Sequence, residues 1–124
     1  MLDHVSIGVR DVVTSRAFYD AVFAAIGATA LSAGDGYAGY GTAEPQFWIQ
    51  GSTHPVPADS RSGMHFCFTA TTRAAVDGFH AAGLSHGGTD NGAPGLRPDY
   101  GPDYYASFII DPDGYRVEAH THAG

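Results

Sequence analysis

Lysine is absent from this chain of 124 residues, cysteine occurs once, and thirteen acidic side chains face only six arginines. Without lysine, Schiff-base chemistry and a lysine phosphate clamp are excluded. The lone Cys67 excludes an intramolecular disulfide and a thiolate cluster, and is expected to be a buried, inert thiol. A net charge of −7 argues against a nucleic-acid surface, which needs clustered positive charge. No apolar run approaches the roughly 20 residues that cross a bilayer. The start, Met1-Leu2-Asp3-His4, has neither the basic residues nor the apolar stretch of a secretion signal, so a cytoplasmic location is expected. What is present is enough for a core: 44% of residues are hydrophobic, and the length suits a single domain over residues 1–124.

The pattern of that core reads as one unit written twice. From Leu2 to Val9 apolar Val5, Ile7 and Val9 alternate with His4, Ser6 and Gly8, which predicts a strand with one packed face and one free face. Asp11 is a candidate cap for a helix running to about Ile26, with Phe18, Ala21, Val22, Ala25 and Ile26 at helical spacing. Short strands are predicted near residues 29–32, 37–41 and 46–50. Residues 51–62 hold two prolines and few apolar residues and read as a linker. The pattern then restarts, and a constant shift of 61 residues brings His4 onto His65, Phe18 onto Phe79 and Gly27 onto Gly88. A second helix is predicted to carry Val76, Phe79, Ala82 and Leu84. Residues 89–102, rich in Gly, Pro and Asp, read as a long loop. Strands near 104–110 and 115–120 close the chain around the turn Asp111-Pro112-Asp113-Gly114. The fold class is α+β: two tandem βαβββ modules, about 1–50 and 63–122. They are expected to form a curved, barrel-like mixed sheet around a cavity, with helices outside.

Candidate chemistry falls on the polar strand faces. His4 and His65 hold equivalent places in the two modules, and Glu118 lies on the polar face of the last strand with Arg116 and His120. If the two sheets bring them together, two imidazoles and a carboxylate make a facial triad that suits a divalent ion with open positions. The competing reading is that each histidine is a hydrogen-bonded structural residue. One of Tyr104 and Tyr105 should point inward. Arg97 is either a carboxylate-binding side chain or a solvated loop charge. His80 and His86 read as surface residues of the second helix, and His120 and His122 as side chains of a frayed end.

Three segments carry a resemblance: His4-Val5-Ser6-Ile7-Gly8-Val9-Arg10-Asp11, Phe18-Tyr19, and Asp111-Pro112-Asp113-Gly114-Tyr115-Arg116-Val117-Glu118. In their order and spacing they resemble the vicinal oxygen chelate superfamily. It includes glyoxalase I, extradiol dioxygenases, fosfomycin-resistance proteins and bleomycin-resistance proteins. The resemblance implies metal ligands at His4, His65 and Glu118, with Glu118 also catalytic, and a divalent cofactor such as Zn, Fe, Mn or Ni. It implies a metal-dependent enzyme (a lyase, dioxygenase or transferase) acting on a small molecule, and a homodimer. Trp48, Arg97, Tyr104 and Tyr105 are the substrate-binding candidates. Where glyoxalase I uses a further carboxylate, on the last strand of its first module, the inward residue here is expected to be Trp48. Extradiol dioxygenases want a tyrosine where this chain has Phe108. The alternative function is a metal-free drug- or metabolite-binding protein of the bleomycin-resistance type.

Overall fold

A computed structural model describes all residues, 1–124. The order of elements is β1 (Val5–Val9), α1 (Val12–Ala25), β2 (Thr29–Gly34), β3 (Tyr37–Gly41) and β4 (Phe47–Gly51). It continues with β5 (His65–Thr69), α2 (Arg73–Ser85), β6 (Thr89–Leu96), β7 (Tyr105–Ile110) and β8 (Arg116–Thr121). Residues 52–64 between the halves carry neither helix nor strand.

Both helices begin where a side chain can satisfy free amides. Asp11 accepts from Val13 N and Thr14 N at 3.0 and 3.3 Å, and Thr72 Oγ1 accepts from Ala75 N at 3.0 Å. In α1 the buried set is Ser15, Phe18, Tyr19, Val22 and Phe23, a stripe at helical spacing. In α2 it is Val76, Phe79, His80 and Gly83. His80 is therefore not the surface residue expected; its ring is buried and Nε2 meets Asp90 Oδ1 at 2.8 Å. It follows Phe79 on the packed side of the helix, and the polar tip finds a partner on β6.

The strands form two four-stranded mixed sheets, ordered β1-β4-β3-β2 and β5-β8-β7-β6. β1 with β4 and β5 with β8 are parallel pairs, and the other neighbours are antiparallel. The two sheets do not join into the single barrel-like sheet expected from sequence. Each helix packs on its own sheet, and α1 and α2 pack on each other. A Cβ at Gly83 of α2 would come within 3.4 Å of the Phe18 ring of α1, and one at Gly78 within 3.5 Å of Ala25 Cβ. Apolar surface on both helices thus buries against the other half.

One core links the halves. Phe23 and Phe47 of the first meet Phe66 and Phe68 of the second, with ring centroids 4.8–5.5 Å apart. The β7–β8 turn also reaches across to β1 and α1. Tyr115 Oη donates to Gly8 O at 2.7 Å, and Asp113 accepts from Arg10 N at 2.9 Å and Ser15 Oγ at 3.2 Å.

The stretch expected to be a long loop contains β6. Gly92, Pro94 and Gly95 hide the strand from a propensity reading. They are tolerated because β6 is an edge strand with register shifts against β7 on either side of Gly92.

Candidate functional site

Each sheet keeps one face that no helix covers, and the candidate residues divide between these faces. On the second sheet, strand alternation sends Phe66 and Phe68 into the core and His65, Cys67 and Thr69 outward. Cys67 pairs in register with Glu118, and Phe108 pairs with Glu118 from the other side. Glu118 sits at the centre of this face and is only 4% exposed.

Both carboxylate oxygens of Glu118 are engaged. His65 Nε2 lies 2.6 Å from Oε1, and the Tyr104 hydroxyl donates to Oε2 at 2.6 Å. Burial, followed by the bond to Glu118, raises the Tyr104 hydroxyl far above its ordinary value, so it stays a donor at neutral pH. Cys67 is an exposed residue rather than the buried one expected, because alternation with two core phenylalanines sends it to the open face. Its sulfur lies 3.8 Å from the Tyr104 hydroxyl. Although the residue is exposed, its sulfur lies against Tyr104 and beside Glu118, and this partial desolvation first, with the Glu118 charge second, pushes the thiol up to about 12 and keeps it a neutral, poor nucleophile.

The wall of this site is aromatic. The rings of His65 and Phe108 lie 6.0 Å apart, and the Arg97 guanidinium sits 5.2 Å from the Phe108 centroid. Arg97 is held there by Ala93 O at 2.7 Å, so it is neither a free loop charge nor distant from Glu118's face. Tyr104 stacks on His120 at 4.7 Å, and His122 stands edge-on to both. His120 Nδ1 is buried without a hydrogen-bond partner. These two histidines belong to the aromatic wall, and their shared alternation with Glu118 was the signal for it. Tyr105 is the residue that does not join. Its hydroxyl donates to Asp77 of α2 at 2.6 Å and its ring lies under Arg73, on the helix-facing side. Adjacent strand residues point to opposite faces, so only one of the two tyrosines can serve the site.

The first sheet presents His4, Ser6 and Trp48. Ser6 pairs with Trp48 in register, so the two share a side of the sheet. His4 precedes β1, and its Nδ1 meets Asp3 Oδ1 at 2.7 Å. His4 and His65 line one cavity of about 660 Å3. No three histidine, cysteine, aspartate or glutamate side chains of the chain converge as a metal-holding group. The structure thus bonds His65 to Glu118, whereas His4, just ahead of β1, bonds Asp3. Glu44 lines a cavity of about 820 Å3 together with His4 and Trp48.

The sequence model of the Glyoxalase/Bleomycin resistance protein/Dioxygenase superfamily matches residues 1–119. The chain belongs to this superfamily. A glyoxalase/bleomycin resistance protein from Albidiferax ferrireducens T118 is 33% identical, with a TM-score of 0.78 and 94% of each chain covered. A glyoxalase/bleomycin resistance protein/dioxygenase family enzyme from Burkholderia phytofirmans PsJN is 21% identical, with a TM-score of 0.71 and 98% of each chain covered. The fosfomycin resistance protein FosX from Listeria monocytogenes is 18% identical, with a TM-score of 0.70, covering 97% of this chain and 91% of that one. The last two likenesses bear on the fold alone. None of the curated proteins matches the sequence. No helix is long and apolar enough to cross a membrane.

Proposed function

We propose that this protein is a divalent-metal-dependent enzyme acting on a small molecule with vicinal oxygens. The observation that carries the reading is the convergence of His65 Nε2 and Glu118 Oε1 at 2.6 Å on an open sheet face. An imidazole nitrogen and a carboxylate oxygen are the donor types that Zn, Fe, Mn or Ni accept. The His65 side chain is 38% exposed, so the pair is reachable from solvent. It fits two coordination positions. The third donor is His4, which shares a cavity with His65 but bonds Asp3 instead, and a homodimer in which His4 of one subunit completes the set of another would bring the three together. A divalent ion there would supply Lewis-acid stabilisation of negative charge on substrate oxygens.

The chain's own residues have separable tasks. Glu118 is the ligand and the only carboxylate placed to hold a proton at this face. Tyr104, by donating to Oε2, fixes the orientation of that carboxylate and leaves Oε1 toward His65. Phe108 and the Tyr104–His120 stack supply a flat, water-excluding wall. Arg97 above Phe108 offers a cation for an acidic substrate group.

The test is metal analysis of protein purified without an affinity tag, followed by melting curves with chelator and with each divalent ion. Bound metal acts on the folded form only, so it raises the melting temperature. His65→Ala should abolish that rise while leaving the metal-free melt nearly unchanged. A second reading, a metal-free binding protein, is favoured by the direct His65–Glu118 hydrogen bond, which satisfies both groups without an ion. Identical melting curves under all conditions would decide for it.

A further inference from the structure

The open face of the first sheet carries an arrangement that the metal reading does not use. Trp48 stands directly across from Gly39 in the β3–β4 pairing, and Tyr37 directly across from Gly34 in the β2–β3 pairing. A Cβ at Gly39 would fall 2.6 Å from Cε3 and Cζ3 of the indole, and one at Gly34 would fall 2.7 Å from Cε1 of the Tyr37 ring. Each ring therefore lies over the bare backbone of the opposing strand. Only glycine leaves room for this. With one side on the backbone, each ring turns its other side outward. The two centroids are 6.3 Å apart with planes at 39°, a shallow aromatic angle (Tyr37 is 43% exposed).

The acidic side chains around this angle meet one histidine and no arginine. Asp3 and Glu44 line the same cavity of about 820 Å3, and none of the six arginines does. Asp3 is paired with His4, but Glu44 takes part in none of the chain's ion pairs. Aromatic faces carry negative potential, Trp most of all, and attract an organic cation within about 6 Å of the ring. A carboxylate without a partner at the rim adds to that attraction and repels an anion.

We propose that the Tyr37–Trp48 angle, with Glu44 at its rim, binds the ammonium group of a small organic cation. This names a ligand class for one side of the site proposed above. It rests on that reading only in taking this face as ligand-facing, since the binding itself needs no metal. Trp48 is the sole tryptophan, so its fluorescence reports on this place alone.

The experiment titrates the full-length protein at pH 8, in chelator, with choline, with its uncharged carbon isostere 3,3-dimethylbutan-1-ol, and with benzoate. Choline should change Trp48 emission saturably and bind about 10-fold more tightly than the isostere, which is the span expected of a cation over aromatic faces. Benzoate should give no saturable change. Glu44→Gln should weaken choline several-fold and leave the isostere unaffected. Tyr37→Phe should keep choline binding and Tyr37→Leu should lose most of it, with the melting temperature read for each variant. Equal binding of choline and the isostere, or preference for benzoate, would overturn the inference. The metal reading fails on melting curves and this inference on the cation titration, so the two failures are separable.

Discussion

The Tyr19 hydroxyl donates to Asp111 Oδ2 at 2.6 Å, joining the first helix to the turn between the last two strands across 92 positions of sequence. Both residues are buried, and Asp111 Oδ1 accepts from Asp113 N and Tyr115 N. One carboxyl group thus shapes its own turn and holds the two halves together. Removing the donor in Tyr19→Phe leaves a buried oxygen short of a partner, a loss of about 1–3 kcal/mol. Urea unfolding of the variant should show that loss, and an unchanged midpoint would mean the bond carries no net stability.

The same carboxyl predicts a pH dependence. Desolvation first raises Asp111 to about 6 from the ordinary 3.8, against the lowering effect of the Tyr19 and backbone hydrogen bonds. The folded state then holds this proton more tightly than the unfolded chain. Its stabilising contribution is complete below the unfolded value and is lost as pH rises through about 6. Asp111→Asn cannot titrate. Wild-type stability relative to that variant should therefore fall by on the order of 2 kcal/mol between pH 4 and pH 7. Parallel pH profiles for the two proteins would show that Asp111 is ionised normally.

A third prediction concerns the bare backbone beneath the indole. In Gly39→Ala the new methyl would start 2.6 Å from ring carbons of Trp48, so the ring must tilt away or the strands must part. Overpacking of this kind costs about 1–3 kcal/mol. The melting temperature should fall and Trp48 emission should move toward that of a more hydrated ring. An unshifted spectrum at unchanged stability would show that the indole does not lie on this glycine.

Much of this was legible in the residues. Alternation in Val5–Val9 and His65–Thr69, together with Asp11 and Thr72 as caps, located first strands and helices within a few positions, because these signals are local. β6 was not legible, since a strand interrupted by Gly92, Pro94 and Gly95 has the composition of a loop. The choice between Tyr104 and Tyr105 needed the phase of β7, which register against β8 decides. The site was legible residue by residue but not as an assembly. The 61-residue shift assigns His4 and His65 equivalent places, yet His65 bonds Glu118 whereas His4 bonds Asp3.

That gap leads to the fourth prediction. His65 bonds Glu118, whereas His4, which lines a cavity with Trp48, bonds Asp3, and no three such side chains converge in one chain. A second copy would supply the missing donor to each. Sedimentation at micromolar concentration should give a dimer, and mixing His4→Ala with His65→Ala protein, each without metal-dependent stabilisation alone, should restore that stabilisation to part of the sample through mixed dimers that hold one intact set. A monomer would remove the basis for a shared site.

The last prediction is that this protein is a poor glyoxalase I. That reaction moves a proton between adjacent carbons of a thiohemiacetal, so it needs a positioned base. By resemblance, glyoxalase I places a carboxylate on the last strand of each module. Here the second module offers Glu118, while the first offers Trp48, paired with Ser6 on the open face beside His4. An indole neither ligates a metal nor accepts a proton. Glu44 lines the same cavity, but it belongs to the turn before β4 and is exposed, so nothing fixes its distance from a substrate carbon. Loss of one positioned base costs about 10²–10⁴-fold in rate. Glutathione's carboxylates would also find few basic partners, since the chain has six arginines and no lysine. With methylglyoxal, glutathione and nickel, zinc, manganese or iron(II) in turn, turnover should stay below ~0.1 s⁻¹, against ~10 s⁻¹ for a typical enzyme. Turnover near the typical value with any of these ions would mean that Glu44 swings in as the base, and Glu44→Gln should then abolish it.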